Sequence, residues 1–148
     1  MQTQSLYEKD FYAWIHHNVD LLKQNKLAEI ELDILIDELE SMAKRDRREL
    51  SSHFIILIAH LLKWQFQPAH RSSSWRGSIR EQRIQITKQL QESPSLKNHI
   101  TDAIENAYPD ALDLASNETG LAMIAFPNEC PYAIKDLLDK EFYPEKKV

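Results

Sequence analysis

The chain has 148 residues, of which 43% are hydrophobic and 28% are charged, and its formal net charge at pH 7 is −5. This composition excludes a disordered chain and is typical of one globular domain, while the negative net charge disfavours general attraction to nucleic acids and anionic membranes. Since the tight turns of β-hairpins depend on glycine and the chain contains only two glycines, we expect an all-α protein.

The first predicted helix begins at a capping box. Ser5 and Glu8 have the spacing at which each side chain accepts a hydrogen bond from the other residue's backbone N–H. Apolar residues recur at helical spacing as far as Leu22, and we expect this helix to end near Asn25. The chain does not begin with a basic segment followed by an apolar run, so we expect no export signal.

The second predicted helix is the longest, because residues 33–67 contain neither glycine nor proline and keep a helical apolar pattern. Asp33 is its expected N-cap, and Pro68 ends it. A kink or break is allowed among the charged residues 44–49, since such a length exceeds the usual range. Residues 54–62 are apolar on almost every side, which predicts a central segment enclosed by neighbouring helices.

The third predicted helix begins in the serine cluster at residues 72–74 and continues to Glu92. Ser93 and Pro94 then have the order typical of an N-cap followed by the first helical residue, so a fourth helix starts here. Pro109 either kinks the fourth helix or begins a fifth.

The end of the chain carries further boundary signals. Gly120 ends the helix that contains or follows Pro109, and Pro131 opens a last short helix. We expect residues 144–148 to form a frayed tail. The sequence therefore predicts, over residues 1–148, a single-domain compact helical bundle of five or six helices with a long central helix.

A group of basic residues interrupts the otherwise acidic chain. Between residues 61 and 90 there are six basic side chains and one acidic side chain. On a helix, Arg76, Arg80 and Arg83 fall within about 60° of one another, beside the apolar face. We take this group as the candidate binding surface and call it the basic stripe, which consists of Lys63, Arg71, Trp75, Arg76, Arg80 and Arg83.

Three interpretations of the basic stripe remain open. The guanidinium groups pair with carboxylates of the long helix, such as Asp37, Glu38 and Glu40, and determine which helices are neighbours; the sequence favours this interpretation. Alternatively, the stripe binds an acidic protein partner. In the third interpretation it binds nucleic acid or phosphate, with Trp75 as a stacking ring, although no recognised binding motif accompanies it.

Three polar residues, Asp46, His53 and His60, recur every seventh position along the face of the long helix that also carries Leu39 and Met42. If this face is buried, each polar side chain needs a hydrogen-bond partner, so we expect a structural role. The two histidines lie about 10 Å apart along a helix, which is too far to share one metal ion. We therefore expect no metal, no cofactor and no catalytic residue, with an enzyme or metal site around these residues as the alternative.

Cys130 is the only cysteine, so it has no intrachain disulfide partner and fits a reducing compartment. No base is identifiable beside it, which makes a nucleophilic role unsupported. The longest apolar run, residues 54–62, is too short to cross a bilayer. We expect a cytoplasmic protein that does not enter the membrane.

Several motifs together resemble a known family. They are SLYEKDFYAW, ELE, HLLKWQFQP, RSSSWRGSIREQR, SPSL, ETGL and FPNECPY. In this order they closely resemble the bacterial family known as domain of unknown function 29, over about Leu6 to Glu145. The resemblance implies a compact all-helical domain and supplies no activity, substrate or catalytic residues.

The function predicted from the sequence is therefore binding rather than catalysis. We expect a small cytoplasmic helical module that binds another macromolecule, namely a protein partner or a second copy of the chain. Nucleic-acid or phosphate binding through the basic stripe is a disfavoured alternative, and an enzyme or metal site in the bundle core is another.

Overall fold

The computed structural model describes residues 5–145, and every regular element in that range is helical. The α-helices in this range are α1 (Leu6–Lys9), α2 (Phe11–Lys23), α3 (Leu32–Phe66), α4 (Ser73–Glu92), α5 (Ile100–Thr119) and α6 (Ile134–Leu138). Short 3-10 helices lie between them at Leu27–Glu29, Pro68–His70, Pro94–His99 and Met123–Ala125. The prediction of an all-α fold with a long central helix is confirmed.

The chain divides into two compact units, Met1–Ala43 and Lys44–Val148, and the boundary lies inside α3. The first part of α3 belongs to the first unit, and the remainder belongs to the second. The prediction that residues 1–148 form a single domain stays a prediction.

The first unit contains one helix boundary that the sequence pattern does not predict. The Ser5 side chain accepts a hydrogen bond from the N–H of Glu8 and caps α1, as the capping box predicts. The Asp10 carboxylate then accepts a 3.0 Å hydrogen bond from the N–H of Ala13 and starts α2. The predicted first helix is thus divided in two, because the Asp10 side chain satisfies a backbone donor that a continuous helix would bond internally.

The core of the first unit is small and aromatic. The Trp14 ring is buried, and its centroid lies 5.0 Å from the Tyr7 ring and 5.8 Å from the Phe11 ring. The Tyr7 hydroxyl donates a 2.8 Å hydrogen bond to the buried Glu38 carboxylate on α3. This bond gives Glu38 a partner within its own unit.

The second unit has the larger core, because α3, α4, α5 and α6 all contribute buried side chains to it. The largest fully buried side chains are Leu50, Phe54, Leu57, Ile58, Leu61, Leu62, Ile79, Ile86 and Leu137. Each such side chain contributes about 1.5–3 kcal/mol through removal from water. Most of residues 54–62 are buried, as their apolar pattern predicts.

Two of the predicted helix starts need correction. The last helix, α6, begins at Ile134 and not at Pro131. Pro94 opens a 3-10 helix, Pro94–His99, and the α-helical part of α5 starts only at Ile100. Of the two alternatives for Pro109, the start of a further helix is wrong, because Pro109 lies inside α5. Proline removes the hydrogen bond to the carbonyl of Glu105, but both residues are exposed, so that carbonyl remains open to water. Gly120 ends α5 as predicted, with a φ of 76° that favours glycine.

The end of the described chain is packed. Pro144 is buried, and the Tyr143 ring centroid lies 4.8 Å from the Trp64 ring. The first residue of the predicted frayed tail, Pro144, is therefore ordered by contacts, and residues 146–148 lie outside the described residues. None of the helices between residues 5 and 145 combines the length and hydropathy that crossing a bilayer requires.

Candidate functional site

The basic stripe does not form one solvent-facing surface. Lys63 and Arg83 are 5% and 4% exposed, and Arg71 and Trp75 are half-buried. Among the six residues, only Arg76 and Arg80 are exposed. That the stripe binds a macromolecule stays a prediction. The part of the stripe that faces solvent consists of these two arginines.

Arg83 is held by main-chain oxygens of α6. Its Nε donates to the Leu137 carbonyl at 2.9 Å, and its Nη2 donates to the Asp136 carbonyl at 3.1 Å. The guanidinium carbon also lies 5.7 Å from the Tyr143 ring centroid. Burial lowers the pKa of Arg83. The side chain therefore joins α4 to α6 instead of meeting a partner in solvent.

Lys63 joins three helices of the second unit. Its Nζ donates to the Glu118 carboxylate on α5 and lies 4.8 Å from the ring centroid of Trp75 on α4. The partners predicted for the basic stripe were Asp37, Glu38 and Glu40. For Lys63 and Arg83 the observed partners are Glu118 and main-chain carbonyls, because the side chains point into the core of their own unit.

Two other members of the stripe, Arg71 and Arg76, contact Trp64. Arg71 Nε donates a 2.9 Å hydrogen bond to the Trp64 carbonyl, and its guanidinium lies 4.9 Å from the Trp64 ring centroid. The Arg76 guanidinium lies 5.3 Å from the same centroid. Cation–π contacts of this kind contribute about 0.5–2 kcal/mol each, so these arginines strengthen the corner between α3 and α4.

The polar residues predicted to lie along the inner face of α3 have different surroundings. Asp46 is exposed, and only its main-chain carbonyl has an inward contact, a 2.7 Å hydrogen bond from the Gln89 side chain. His53 is half-buried, with Nδ1 lying 2.7 Å from the Gln82 amide oxygen. Asp46 therefore does not share an interior site with the histidines.

His60 is half-buried on α3, and its Nδ1 lies 2.8 Å from the Ile56 carbonyl oxygen. Burial lowers the pKa of His60, so the ring is neutral near pH 7 and Nδ1 carries the donated proton. Within residues 5–145, no group of three or more His, Cys, Asp and Glu side chains is arranged to hold a metal ion.

Cys130 lies half-buried in the loop before α6, where its Sγ is 3.8 Å from the Tyr132 carbonyl. Burial raises the pKa of the Cys130 thiol. The sulfur is consequently protonated near neutral pH, which is the less nucleophilic form.

The first unit exposes a set of large apolar side chains. Two of them, Leu39 and Met42, belong to the face of α3 that was expected to point inward, and they are 56% and 51% exposed. The exposed set on α2 and α3 comprises Phe11, Tyr12, Ile15, Val19, Leu22, Leu32, Ile36, Leu39 and Met42. An apolar pattern shows which residues share a face, but it does not show whether another element covers that face.

On α2 the apolar residues fall on two adjoining faces. Trp14 and Leu21 are buried, while Phe11, Ile15 and Leu22 are exposed. The three exposed residues have helical positions within about 40° of one another. They form an apolar row along one side of α2.

On α3 a second row consists of Leu32, Ile36 and Leu39, which lie within about 60° of one another on the helix. We call these two sets the α2 row and the α3 row. The α3 row runs beside exposed carboxylates of the same helix, Asp33, Asp37 and Glu40. Residues 1–43 as a whole carry nine acidic and three basic side chains.

The comparison with protein families shows which family the chain belongs to. Residues 6–143 match the family model described as "Domain of unknown function DUF29". The chain belongs to this family. The DUF29 match spans the described parts of both units almost completely, so the α2 and α3 rows are part of the family domain and not of an appended segment.

The resemblance inferred from the sequence motifs is thereby confirmed. Searches of curated proteins and of solved structures gave no match. The DUF29 assignment itself names no activity, so the function must be argued from the surface and the cavities of the molecule.

Proposed function

We propose that this DUF29 protein is a protein-interaction module whose first unit binds an amphipathic helix with a basic border. The observation that carries the proposal is the exposure of the α2 row and the α3 row. Both rows lie on regular helices, and their residues are between 38% and 58% exposed.

Burial of these rows on a partner would be favourable. Full burial of one large aliphatic or aromatic side chain contributes about 1.5–3 kcal/mol relative to exposure, and these side chains are half-exposed. Exposed apolar areas of soluble proteins are often recognition surfaces. The spacing of the α3 row is i, i+4 and i+7 and that of the α2 row is i, i+4 and i+11, and residues at such spacings form the helix faces on which other helices dock.

The charge of the first unit selects the partner. Two copies of a segment with nine acidic and three basic side chains would repel each other at close approach. A partner helix with lysine or arginine beside its apolar face would instead meet the carboxylates of Asp33, Asp37 and Glu40. A basic amphipathic helix therefore fits this surface better than a second copy of the chain.

The expected cellular location follows from the cysteine. A lone Cys130 fits a reducing environment, and we propose that the protein acts in the cytoplasm.

The proposal is tested with designed helical peptides in calorimetric titrations. One peptide combines an apolar face with a lysine border, and a second has the same apolar face with a glutamate border. We expect the lysine peptide to bind the wild-type chain, the glutamate peptide to bind at least tenfold more weakly, and the variant Ile36→Glu/Leu39→Glu to lose most of the binding.

The matched control is Ile124→Glu, which places the same charge on an apolar residue that is 93% exposed in the second unit. This variant should bind the lysine peptide as the wild type does. The proposal fails if neither peptide binds, or if Ile36→Glu/Leu39→Glu binds like the control. A dimer in light scattering that dissociates on Ile36→Glu/Leu39→Glu would show that the occupant is a second copy instead.

A further inference from the structure

A cleft in the second unit lies between α3 and α5, and it is independent of the apolar rows. Its volume is 580 Å³. This volume is within the range of small-molecule sites, about 300–1,000 Å³. Its floor includes Leu50 and Ala103, which are buried, so the cleft has an apolar base beneath charged walls.

The two helices that form the walls run parallel. Ser51 Oγ on α3 donates to the Ala103 carbonyl on α5 at 3.4 Å. At the far ends of the two helices, Gln67, the residue after α3, donates from Nε2 to the carbonyl of Thr119, the last residue of α5, at 3.2 Å. The two helices therefore run in the same direction. Each residue of α3 lies at the level of the α5 residue about 52 positions later in the chain.

This register separates the charges along the cleft. Lys44, Arg47 and Arg48 line the α3 wall before Ser51, at the level of His99 on the other side. Asp110 lines the opposite end, about two helical turns beyond Ala103. Asp102 lies between the two ends. The cleft is therefore cationic at one end and acidic at the other.

The cations are not neutralised by the carboxylates of the cleft. Across residues 5–145, Lys44, Arg47 and Arg48 form no ion pair within 4 Å. All three side chains are exposed. Two guanidinium groups and one ammonium group on a single helical face offer several hydrogen-bond donors to the oxygens of a phosphate chain, and guanidinium forks match phosphate geometry in a bidentate manner.

We propose that this cleft binds a phosphate-bearing small molecule whose other end carries hydrogen-bond donors, as in a nucleoside diphosphate. The phosphates contact Lys44, Arg47 and Arg48, with His99 facing them. The hydroxyl or amino groups of the organic part donate to the carboxylates of Asp102 and Asp110. The opposed charges fix the direction in which the ligand lies.

The test measures binding of inorganic pyrophosphate and of ADP by calorimetry at low ionic strength, with the full chain. We expect ADP to bind more tightly than pyrophosphate, since only ADP reaches the acidic end. Arg47→Gln/Arg48→Gln should weaken both ligands at least tenfold. Asp110→Asn should weaken ADP several-fold and leave pyrophosphate unchanged or slightly tighter.

The matched control is Lys88→Gln/Lys140→Gln, which removes the same charge from exposed lysines of the same unit that line neither the cleft nor the basic stripe. Its affinities should stay within twofold of the wild type. Equal losses in the control and in Arg47→Gln/Arg48→Gln would mean general charge attraction and would overturn the proposal, as would the absence of saturation at millimolar ligand.

Two further measurements test the proposal on the wild-type chain, so they do not depend on whether a variant folds. In NMR titrations of the wild type with ADP, the His99 ring and the Asp102 amide should shift, and shifts confined to α4 would contradict the site. Tight binding of a single-stranded oligonucleotide that prevents ADP from binding and is lost in Arg47→Gln/Arg48→Gln would instead show that the cleft accepts nucleic acid, and would overturn the proposal.

Discussion

Arg83 Nε donates a 2.9 Å hydrogen bond to the carbonyl oxygen of Leu137, which is buried at the end of α6. The last carbonyls of a helix have no partner within the helix, so the guanidinium supplies bonds that α6 lacks. Because α6 has only five residues, it is too short to be stable alone. Arg83 is therefore a structural residue that fixes α6 on α4.

Replacing Arg83 by methionine should destabilise the protein. The change keeps most of the side-chain volume but removes the guanidinium donor of the buried Leu137 carbonyl. The Asp136 carbonyl loses one of its two donors and keeps the 3.2 Å hydrogen bond from the N–H of Asp139. We expect a loss of about 2–3 kcal/mol in the free energy of unfolding, measured by urea denaturation. Arg80→Met, at an exposed position of the same helix, should change stability by less than about 0.5 kcal/mol. Equal stability of the two variants would contradict the structural role of Arg83.

Replacing Glu118 by glutamine should also destabilise the protein, because it leaves the buried ammonium of Lys63 without its counter-charge. We expect a loss of about 1–3 kcal/mol, smaller than for a fully buried pair since Glu118 is partly exposed. The additional change Lys63→Met should recover part of this loss, which a double-mutant cycle measures. The control Glu105→Gln affects an exposed carboxylate of the same helix. Additive effects of Lys63→Met and Glu118→Gln would show that the two residues do not interact.

The lowered pKa of His60 predicts how stability depends on pH. Burial lowers the pKa of His60 in the folded state below the usual histidine value of 6.5, so the unfolded chain binds this proton more readily. The contribution of His60 to stability is complete above pH 6.5 and decreases as the pH falls towards the folded-state pKa. The urea midpoint of the wild type should therefore decrease between pH 7 and pH 5, and His60→Gln should reduce the slope. As a control, His70→Gln, at an exposed position, should keep the wild-type slope of the urea midpoint against pH. If His60→Gln also keeps that slope, other groups cause the pH dependence of stability.

The raised pKa of the Cys130 thiol predicts slow alkylation. Iodoacetamide reacts with the thiolate, and burial disfavours the thiolate in the folded protein. At pH 8 we expect alkylation at least tenfold slower than in the chain unfolded by urea, followed by mass spectrometry. A folded-state rate equal to the unfolded one would mean that the sulfur is both accessible and ionised.

The boundaries of the long helix were readable from the sequence because they depend on local chemistry. The glycine-free and proline-free segment 33–67 corresponds to α3, Leu32–Phe66, and Pro68 stops it. The predicted N-cap, Asp33, lies instead in the first turn of α3. The break at Asp10 was missed because an aspartate within a helical apolar pattern also fits an uninterrupted helix. Only its bond to the Ala13 N–H distinguishes the two.

The candidate sites were less predictable, since they depend on partners distant in the chain. Arginine is mostly a surface residue, so nothing near Arg83 in the sequence indicates burial against Leu137. In the same way, the helical spacing of Leu39 and its apolar neighbours is expected both for a helix face that another element covers and for one that is exposed to solvent. The sequence shows only one wall of the cleft, since residues 44–50 carry four basic and two acidic side chains. The opposite wall includes His99, which directly precedes α5, and Asp110 on α5, and both are distant in the chain.

The distribution of the three tryptophans makes the two units optically distinguishable. Trp14 is packed among aromatic rings of the first unit, whereas Trp64 and Trp75 lie beside cationic side chains in the second. A chain that retains Trp14 as its sole indole, through Trp64→Phe and Trp75→Phe, reports fluorescence from the first unit alone. Comparison of its melting curve with that of a Trp14→Phe chain reveals whether the units lose their structure in one cooperative transition or in two.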